Sequence, residues 1–162
     1  MSILIIYDSI FGNTAKVALA MAEAVPGARA VHVRDTATLD LNGVGLLVLG
    51  SPTRGFRPTP DMQEFVDGLG DDMLAGRRAA AFDTRLDLET VHPAPLRWVM
   101  DVGGYAADTL ARLLADKGCV MTGEPTGFLV GGSEGPLQEG EIERARNWLR
   151  ALADTAGAAD AA

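Results

Sequence analysis

An apolar run that ends in a short polar loop opens the chain and constrains its fold most strongly. Residues Ile3–Tyr7 are almost all apolar, as expected of a strand buried in a sheet. A loop of Ser, Gly, Asn and Thr follows within Asp8–Thr14 and leads directly into a helical pattern from Ala15. Free amides at a helix N-terminus carry partial positive charge, which favours an anion. The stretch therefore predicts either a phosphate-binding loop or an ordinary turn in which Asn13 or Thr14 only caps the helix.

The loop lacks the residues that larger phosphate ligands require. It has no Gly-x-x-x-x-Gly-Lys-Ser/Thr pattern, so no lysine is placed to hold a triphosphate. It also lacks the Gly-x-Gly-x-x-Gly turn that approaches a pyrophosphate. A small, neutral loop of this kind suits one terminal phosphate monoester.

Strands and helices alternate along the rest of the chain. This alternation indicates an α/β fold, a doubly wound parallel sheet of five strands with helices on both faces. The predicted strands are Ile3–Tyr7, Ala30–Val33, Leu46–Gly50, Arg78–Phe82 and a fifth made of Cys119–Met121 and Gly127–Val130, interrupted near Pro125; the predicted helices are Asn13–Val25, one that begins at Thr59–Pro60, Ala106–Lys117 and Glu141–Ala153. A single domain is expected over 1–153, with a frayed tail over 154–162 that has no large apolar side chain.

Composition narrows the classes of function. The net charge of −8 argues against binding to nucleic acid or to anionic membrane surfaces. It fits a basic protein partner, or it serves solubility alone. No apolar run approaches the length of a membrane span. The single cysteine, Cys119, excludes an internal disulfide and predicts a cytoplasmic location. His32 and His92 have no neighbours at metal-ligand spacing, so no metal site is expected.

Ligands of open parallel sheets bind beyond the carboxyl ends of the strands, where the strand order reverses. The segments that leave the first, third and fourth predicted strands are Asp8–Thr14, Ser51–Thr59 and Asp83–Gly104. These three segments are therefore expected to form the binding site. The last of them is long for a connection of this class.

Taken together, these segments resemble those of the flavodoxin family, over nearly the whole chain. Tyr7–Thr14 (YDSIFGNT) is similar to the family's phosphate loop for flavin mononucleotide (FMN), Gly50–Thr59 (GSPTRGFRPT) to its second flavin loop, and Phe82–Arg85 (FDTR) stands in the place of the third. The closing segment Phe128–Leu137 (FLVGGSEGPL) is similar to family members of the short-loop type. The resemblance implies a sheet of strand order 2-1-3-4-5 and FMN as the cofactor.

The resemblance also implies which residues bind the cofactor: Ser9, Ile10, Phe11, Gly12, Asn13, Thr14, Pro52, Thr53, Arg54, Gly55, Phe56, Asp83, Thr84 and Arg85. The phosphate is expected to bind the Ser9 and Thr14 hydroxyls, the Asn13 side chain and the loop amides. Gly55 accepts a positive φ, so either its peptide reorients when the flavin is reduced, as the resemblance implies, or the glycine serves only a tight turn. Many flavodoxins stack a Trp and a Tyr on the ring, whereas these loops offer Phe56 and no aromatic beside Asp83–Arg85. Trp98 and Tyr105 are the other candidates for that contact.

No nucleophile–base arrangement is present, so no catalytic residue is predicted. The resemblance implies an electron carrier that shuttles electrons between redox protein partners, with the acidic chain docking on a basic reductase or oxidase. An FMN-dependent quinone or small-molecule reductase is the alternative, favoured by the long third segment. A flavin-free interaction domain is a further alternative, against which the Ser9–Thr14 loop speaks.

Overall fold

The structure is a computed structural model that describes residues 1–90 and 94–161; at positions 90, 94, 97, 100, 101 and 161 it describes the backbone only. The strands are β1 (Ser2–Tyr7), β2 (Ala28–His32), β3 (Val44–Pro52), β4 (Arg78–Leu86), β5 (Val120–Met121) and β6 (Thr126–Val130). The helices are α1 (Asn13–Ala24), α2 (Pro60–Asp67), α3 (Asp71–Leu74), α4 (Ala94–Gly103), α5 (Ala106–Asp116) and α6 (Glu141–Ala161).

The strands form one parallel sheet in the predicted order. Its path runs β2-β1-β3-β4-β5, and β6 also pairs with β4. Strand β5 pairs with the N-terminal part of β4, where Val120 lies opposite Arg78. Strand β6 pairs with the C-terminal part of β4, where Thr126 lies opposite Phe82. The two short strands thus share the fifth position, as the predicted interruption near Pro125 requires. The fold class and the strand order are confirmed.

The fourth strand is longer than its apolar run. It was predicted to end at Phe82, but β4 continues to Leu86 because Asp83–Leu86 pair with Gly127–Val130 of β6. The polar residues Asp83, Thr84 and Arg85 therefore lie on the end of a strand, and their side chains alternate between the two faces of the sheet. This placement fixes their directions more tightly than a loop would.

The last helix also extends past its predicted end. The segment 154–161, expected to fray, is helical in the structure. Alanine is the strongest helix former, and Ala156 is buried while Asp160 pairs with Arg78. The end of α6 is therefore held against the domain by small side chains and one ion pair, whereas earlier turns of the helix are held by large apolar side chains.

Each face of the sheet carries its own hydrophobic cluster. On one face Leu47 and Leu49 pack with side chains of α2 and α5; on the other, Val48 and Phe82 pack with side chains of α1 and α6. The central strands are therefore buried on both sides, as continuous apolar runs of parallel sheets require. Phe82, Phe128 and Trp148 meet edge to face, with ring centroids 5.9–6.0 Å apart.

The first residue of α6 ties that helix to β6. The carboxylate of Glu141 accepts a hydrogen bond from the Leu129 amide at 2.7 Å and two from the Arg144 guanidinium at 2.9 and 2.6 Å. The hydrogen bonds from Arg144, helped by the Leu129 amide, hold the pKa of Glu141 below its ordinary value although burial opposes them.

Replacing Glu141 should therefore reduce the pH dependence of stability. A carboxyl group whose pKa is lower in the folded state stabilises the fold above its unfolded pKa, and this contribution is lost as the pH falls through the folded value. We expect Glu141→Gln to lower the free energy of unfolding by about 1–3 kcal/mol at pH 7 and by much less at pH 3. Urea denaturation at both pH values measures this. The exposed Glu143 serves as control, and an equal effect of Glu143→Gln would contradict the assignment.

Candidate functional site

The first two predicted segments and the beginning of the third, Asp83–Leu86, converge at the carboxyl edge of β1, β3 and β4. They line a cleft of about 360 Å³. The lining residues are Ser9, Ile10, Phe11, Asn13, Thr14, Pro52, Thr53, Arg54, Gly55, Thr84, Arg85, Leu86, Val130 and Ser133. Most residues named from the sequence are thus brought together here. Gly12, Phe56 and Asp83 are not among the lining residues.

The loop between β1 and α1 presents backbone N–H groups for which the described residues provide no acceptor. The Ser9 Oγ accepts hydrogen bonds from the amides of Gly12 and Ala15, at 3.2 and 3.3 Å. No other described residue accepts a hydrogen bond from the amides of Ile10, Phe11, Asn13 or Thr14. Gly12 holds the loop in this shape with a φ of 92°, a conformation that other residues adopt with strain. The result is a cluster of available donors at the N-terminus of α1.

The hydroxyls of this loop are engaged differently from the sequence-based expectation. The Ser9 hydroxyl oxygen accepts hydrogen bonds from loop amides, so the hydroxyl proton remains available for donation to a ligand. The Thr14 hydroxyl lies 2.8 Å from that of Thr84 in a buried pair. One of these two hydroxyls donates to the other, so the pair retains one proton for a ligand in the cleft. The Asn13 side chain donates to the Glu134 carbonyl at 3.0 Å and so joins the loop to the segment after β6.

A buried carboxylate lies directly beneath the loop. Asp8 accepts from the Ser9 amide at 2.8 Å and from the Thr59 hydroxyl at 2.5 Å, and Thr59 in turn caps α2 through the Met62 amide. The Nε2 atom of His32 lies 3.3 Å from Asp8. The His32 Nδ1 accepts from the Arg34 amide, so the ring carries its proton on Nε2. Asp8 thus joins the loop after β1 to the start of α2.

A tight turn forms the wall of the cleft after β3. Arg54 and Arg57 exchange two backbone hydrogen bonds, at 2.8 and 3.1 Å. Between them Gly55 and Phe56 both have positive φ, 54° and 67°, which defines a type I′ turn. Glycine adopts this conformation freely, whereas Phe56 is strained there. Arg54 also lies over the Phe11 ring, 5.4 Å from its centroid, and links the turn to the first loop.

Asp83 and Arg85 form a rigid pair at the end of β4. The Arg85 guanidinium donates to both carboxylate oxygens of Asp83 at 2.7 and 2.8 Å. It also lies over the Tyr105 ring, 3.7 Å from the centroid. Burial raises the pKa of Asp83 above its ordinary value, although Arg85 and the Ala107 amide act in the opposite direction. Asp83 itself is fully buried, so it supports the site from below.

A second, smaller cavity of about 210 Å³ lies beside the cleft. It shares Thr53, Gly55, Arg85 and Leu86 with the cleft and adds Phe56, Gly104 and Tyr105. Of the aromatic candidates named from the sequence, Phe56 and Tyr105 line this cavity. Trp98 lines neither cavity and is 70% exposed. Because they share these lining residues, the two cavities adjoin, and together they have a polar end at the loop after β1 and a largely apolar end near Tyr105.

Several residues of the site were not found from the sequence. Leu86, Val130 and Ser133 line the cleft because β4 and β6 extend side by side to its edge. Asp8 could have been identified from the sequence, because a carboxylate directly after a buried strand needs hydrogen-bond partners. Leu86 and Val130 could not have been identified in this way, because in the sequence they are indistinguishable from core residues.

The described residues offer neither a metal site nor a membrane-spanning helix. Among these residues, no group of three or more His, Cys, Asp or Glu side chains could hold a metal ion. His92 lies outside the described residues. None of the described helices has the length and apolar character needed to cross a bilayer.

Comparison with known structures places the fold among flavodoxins. A flavodoxin from the domain Archaea superposes with a TM-score of 0.76 at 17% identity, covering 97% of this chain and 99% of that one. Oxidised flavodoxin 1 from Bacillus cereus gives 0.70 at 17% identity, covering 95% and 98%. Rubredoxin oxygen:oxidoreductase from Desulfovibrio gigas gives 0.75 at 16% identity, and 99% of this chain covers only 37% of that larger protein. At these identities the likeness concerns the fold alone.

The sequence comparisons identify the family. A search of curated proteins finds no match. The family profile described as the flavodoxin domain matches residues 4–94, which include the segments Asp8–Thr14 and Ser51–Thr59 and the end of β4. Membership indicates, in general terms, a flavoprotein of electron transport. The chain belongs to the flavodoxin domain family.

Proposed function

We propose that this protein binds FMN and carries electrons between redox protein partners. The observation that carries the proposal is the cluster of amides at the start of α1 that find no acceptor within residues 1–90 and 94–161, placed at one end of a site whose other end is apolar. The cofactor supplies the electron-accepting ring, and the protein holds, orients and tunes it. The cofactor domain is taken to be 1–153, and a cytoplasmic location remains part of the proposal.

The polar end suits the phosphate of FMN. The residues that line the cleft include Arg54 and Arg85 and, in the described part of the chain, no carboxylate. Amides of Ile10, Phe11, Asn13 and Thr14, with the protons of Ser9 and of the Thr14–Thr84 pair, would hold the phosphate oxygens. Each hydrogen bond to a charged group is worth roughly 1.5–3 kcal/mol, so several of them suffice without a dedicated lysine.

The apolar end suits the flavin ring. Phe56, Leu86 and Tyr105 offer apolar surface around the smaller cavity, and a planar aromatic ligand gains stability from burial there. Thr53, Gly55 and Arg85 belong to both cavities and would lie where the ribityl chain meets the ring. The donor set and the adjoining apolar space therefore fit FMN as a whole.

Thr14 provides a direct test of the phosphate contacts. We expect Thr14→Val to weaken FMN binding by about tenfold or more, because it replaces the hydroxyl at the start of α1 with a methyl group that cannot bond to the phosphate and removes the partner of the buried Thr84 hydroxyl. Thr14→Ser keeps the hydroxyl and should bind FMN within about threefold of the wild type. Fluorescence titration of the apoprotein measures both. If Thr14→Val binds FMN as tightly as the wild type, Thr14 is not part of the site.

The turn of Gly55 and Phe56 is proposed to respond to reduction of the flavin. Reversal of the peptide between these residues converts a type I′ turn into type II′, which needs positive φ only at Gly55 and so releases the strain at Phe56. The turned carbonyl could then accept a hydrogen bond from a proton that the flavin gains. Gly55→Val disfavours both turns and should narrow the gap between the potentials of the two one-electron steps in a redox titration. An unchanged gap would exclude this role.

The net charge of −8 supports docking on a redox partner with a basic face. Such a reductase or oxidase would exchange electrons through the exposed mouth of the site. Ile10 and Phe11, at 50% and 45% exposure, lie on that mouth and supply apolar surface for a transient contact.

One observation favours the alternative of an FMN-dependent quinone or small-molecule reductase. Helix α4 exposes Leu96, Trp98, Val99 and Val102, and Gly103 at its end lies against the Phe56 ring. Apolar surface near the ring end of the site could admit an apolar substrate. Rapid reduction of the bound FMN by NAD(P)H alone, followed by turnover of a quinone, would establish the reductase. Reduction only through a separate reductase would establish the carrier. A flavin-free interaction domain would have no use for the unpaired amides.

A further inference from the structure

We propose that Arg85 supplies the planar surface on which the flavin ring rests, with Tyr105 behind it, so that a guanidinium replaces a stacked aromatic side chain. This inference rests on the proposed binding of FMN. It assigns a residue to a contact for which the sequence offers no aromatic beside Asp83, Thr84 and Arg85.

The orientation of the Arg85 guanidinium is fixed before any ligand binds. Its Nε and Nη2 atoms donate to the two oxygens of Asp83, and such two-point pairing sets the plane of the group. Asp83 cannot turn away, because it is fully buried and its Oδ2 also accepts from the Ala107 amide at 2.9 Å. The plane of Arg85 is therefore anchored to the start of α5.

One face of the guanidinium is already covered. The Arg85 Cζ lies 3.7 Å from the centroid of the Tyr105 ring, a separation at which the delocalised cation stacks on the aromatic face. Tyr105 lines only the smaller cavity, whereas Arg85 lines both. Arg85 is thus the member of this stack that extends toward the cleft.

The strand next to β4 is adapted to this arginine. Gly127 lies opposite Asp83 in the pairing of β4 with β6. A Cβ at Gly127 would lie 2.0 Å from the Arg85 Nε and 2.3 Å from its Cζ. The φ of Gly127 is not positive, so its backbone conformation alone does not require glycine. Glycine is needed there because the Arg85 side chain fills the space.

The same contacts argue against Arg85 as a phosphate anchor. Two of its donor nitrogens are occupied by Asp83, and that carboxylate offsets its charge. Arg85 keeps its remaining N–H bonds at the edge of the group, and the face of the group is a flat, weakly hydrated surface that suits a planar ring. The contribution should therefore be the same whether or not the flavin carries a phosphate.

The test compares FMN with riboflavin, which has the same ring and no phosphate. Apoprotein is titrated with each, by flavin fluorescence, for the wild type, Arg85→Lys and Gly127→Ala. Arg85→Lys keeps the positive charge but removes the planar guanidinium group. Gly127→Ala keeps Arg85 and displaces its guanidinium. We expect each variant to lose affinity by about tenfold, equally for FMN and riboflavin. Gly131→Ala, where a Cβ meets only the Pro136 carbonyl at 3.8 Å, is the control and should bind as the wild type does.

Each other outcome overturns the inference. A loss confined to FMN would make Arg85 a phosphate ligand, and unchanged affinity in Arg85→Lys would exclude it from the ring contact while FMN binding by the wild type still stands. If the wild type binds neither flavin, the proposed function fails and this inference fails with it. Thermal unfolding of every variant shows whether the fold is retained.

Discussion

The variant Asn13→Asp is expected to lose FMN affinity by at least about 100-fold. Asn13 lines the cleft and donates from its side chain to the Glu134 carbonyl. The substitution keeps the shape of the side chain, removes that donor and puts a negative charge among the amides proposed to hold the phosphate. Repulsion between a carboxylate and a dianion at short range outweighs any single hydrogen bond of the loop.

Riboflavin distinguishes this effect from general damage. Without a phosphate it should bind Asn13→Asp within about threefold of its wild-type affinity. The fold should persist, because an acidic residue in the first turn of a helix is stabilising. Equal losses for both flavins would indicate a distorted site. Unchanged FMN affinity would show that the phosphate does not bind beside Asn13.

Replacement of Phe82 should have the largest effect on stability. Phe82 is fully buried, and its ring contacts those of Phe128 and Trp148. We expect Phe82→Ala to lower the free energy of unfolding by about 3–5 kcal/mol, because it removes a large apolar side chain and leaves a cavity between the sheet and α6. Equilibrium urea denaturation measures the change. A loss below about 1 kcal/mol would contradict this packing.

Gly50 offers a matched control for the same contact. A Cβ at Gly50 would lie 2.0 Å from the Phe82 Cζ, so Gly50→Ala should be destabilising. In a Phe82→Leu background the shorter side chain leaves room, and the same glycine substitution should be less harmful. Such non-additivity is expected of residues in direct contact. Additive effects would show that Gly50 and Phe82 act independently.

The fold was largely predictable because its main signal is local. Continuous apolar runs and the helices between them indicated a parallel sheet, and Thr59 and Pro60 marked the start of α2. The ends of elements were not predictable where pairing or small side chains decide them. Asp83–Leu86 extend β4 because β6 lies beside them and β3 also pairs with Asp83 and Thr84. Ala156 is buried in the last turns of α6, and the composition of the tail does not show this burial.

The position of the site could be predicted from the sequence, but the contacts of its side chains could not. The loops that follow β1 and β3 and the end of β4 converge as expected, since parallel strands end at the same edge. The partner of each hydroxyl depends on distances between distant segments: Thr14 pairs with Thr84, and Asp8 joins Ser9 to Thr59. The stack of Arg85 on Tyr105 likewise arises from tertiary packing, because β4 and α5 bring the two residues together.

The binding of FMN by the apoprotein tests the central claim most directly. Calorimetric titration should give one FMN per chain with a dissociation constant of roughly 1 μM or below, and affinity for riboflavin weaker by at least about tenfold, because only FMN carries the phosphate. Failure to bind FMN, or equal affinity for the two flavins, would contradict the claim that the loop after β1 holds the phosphate of this cofactor.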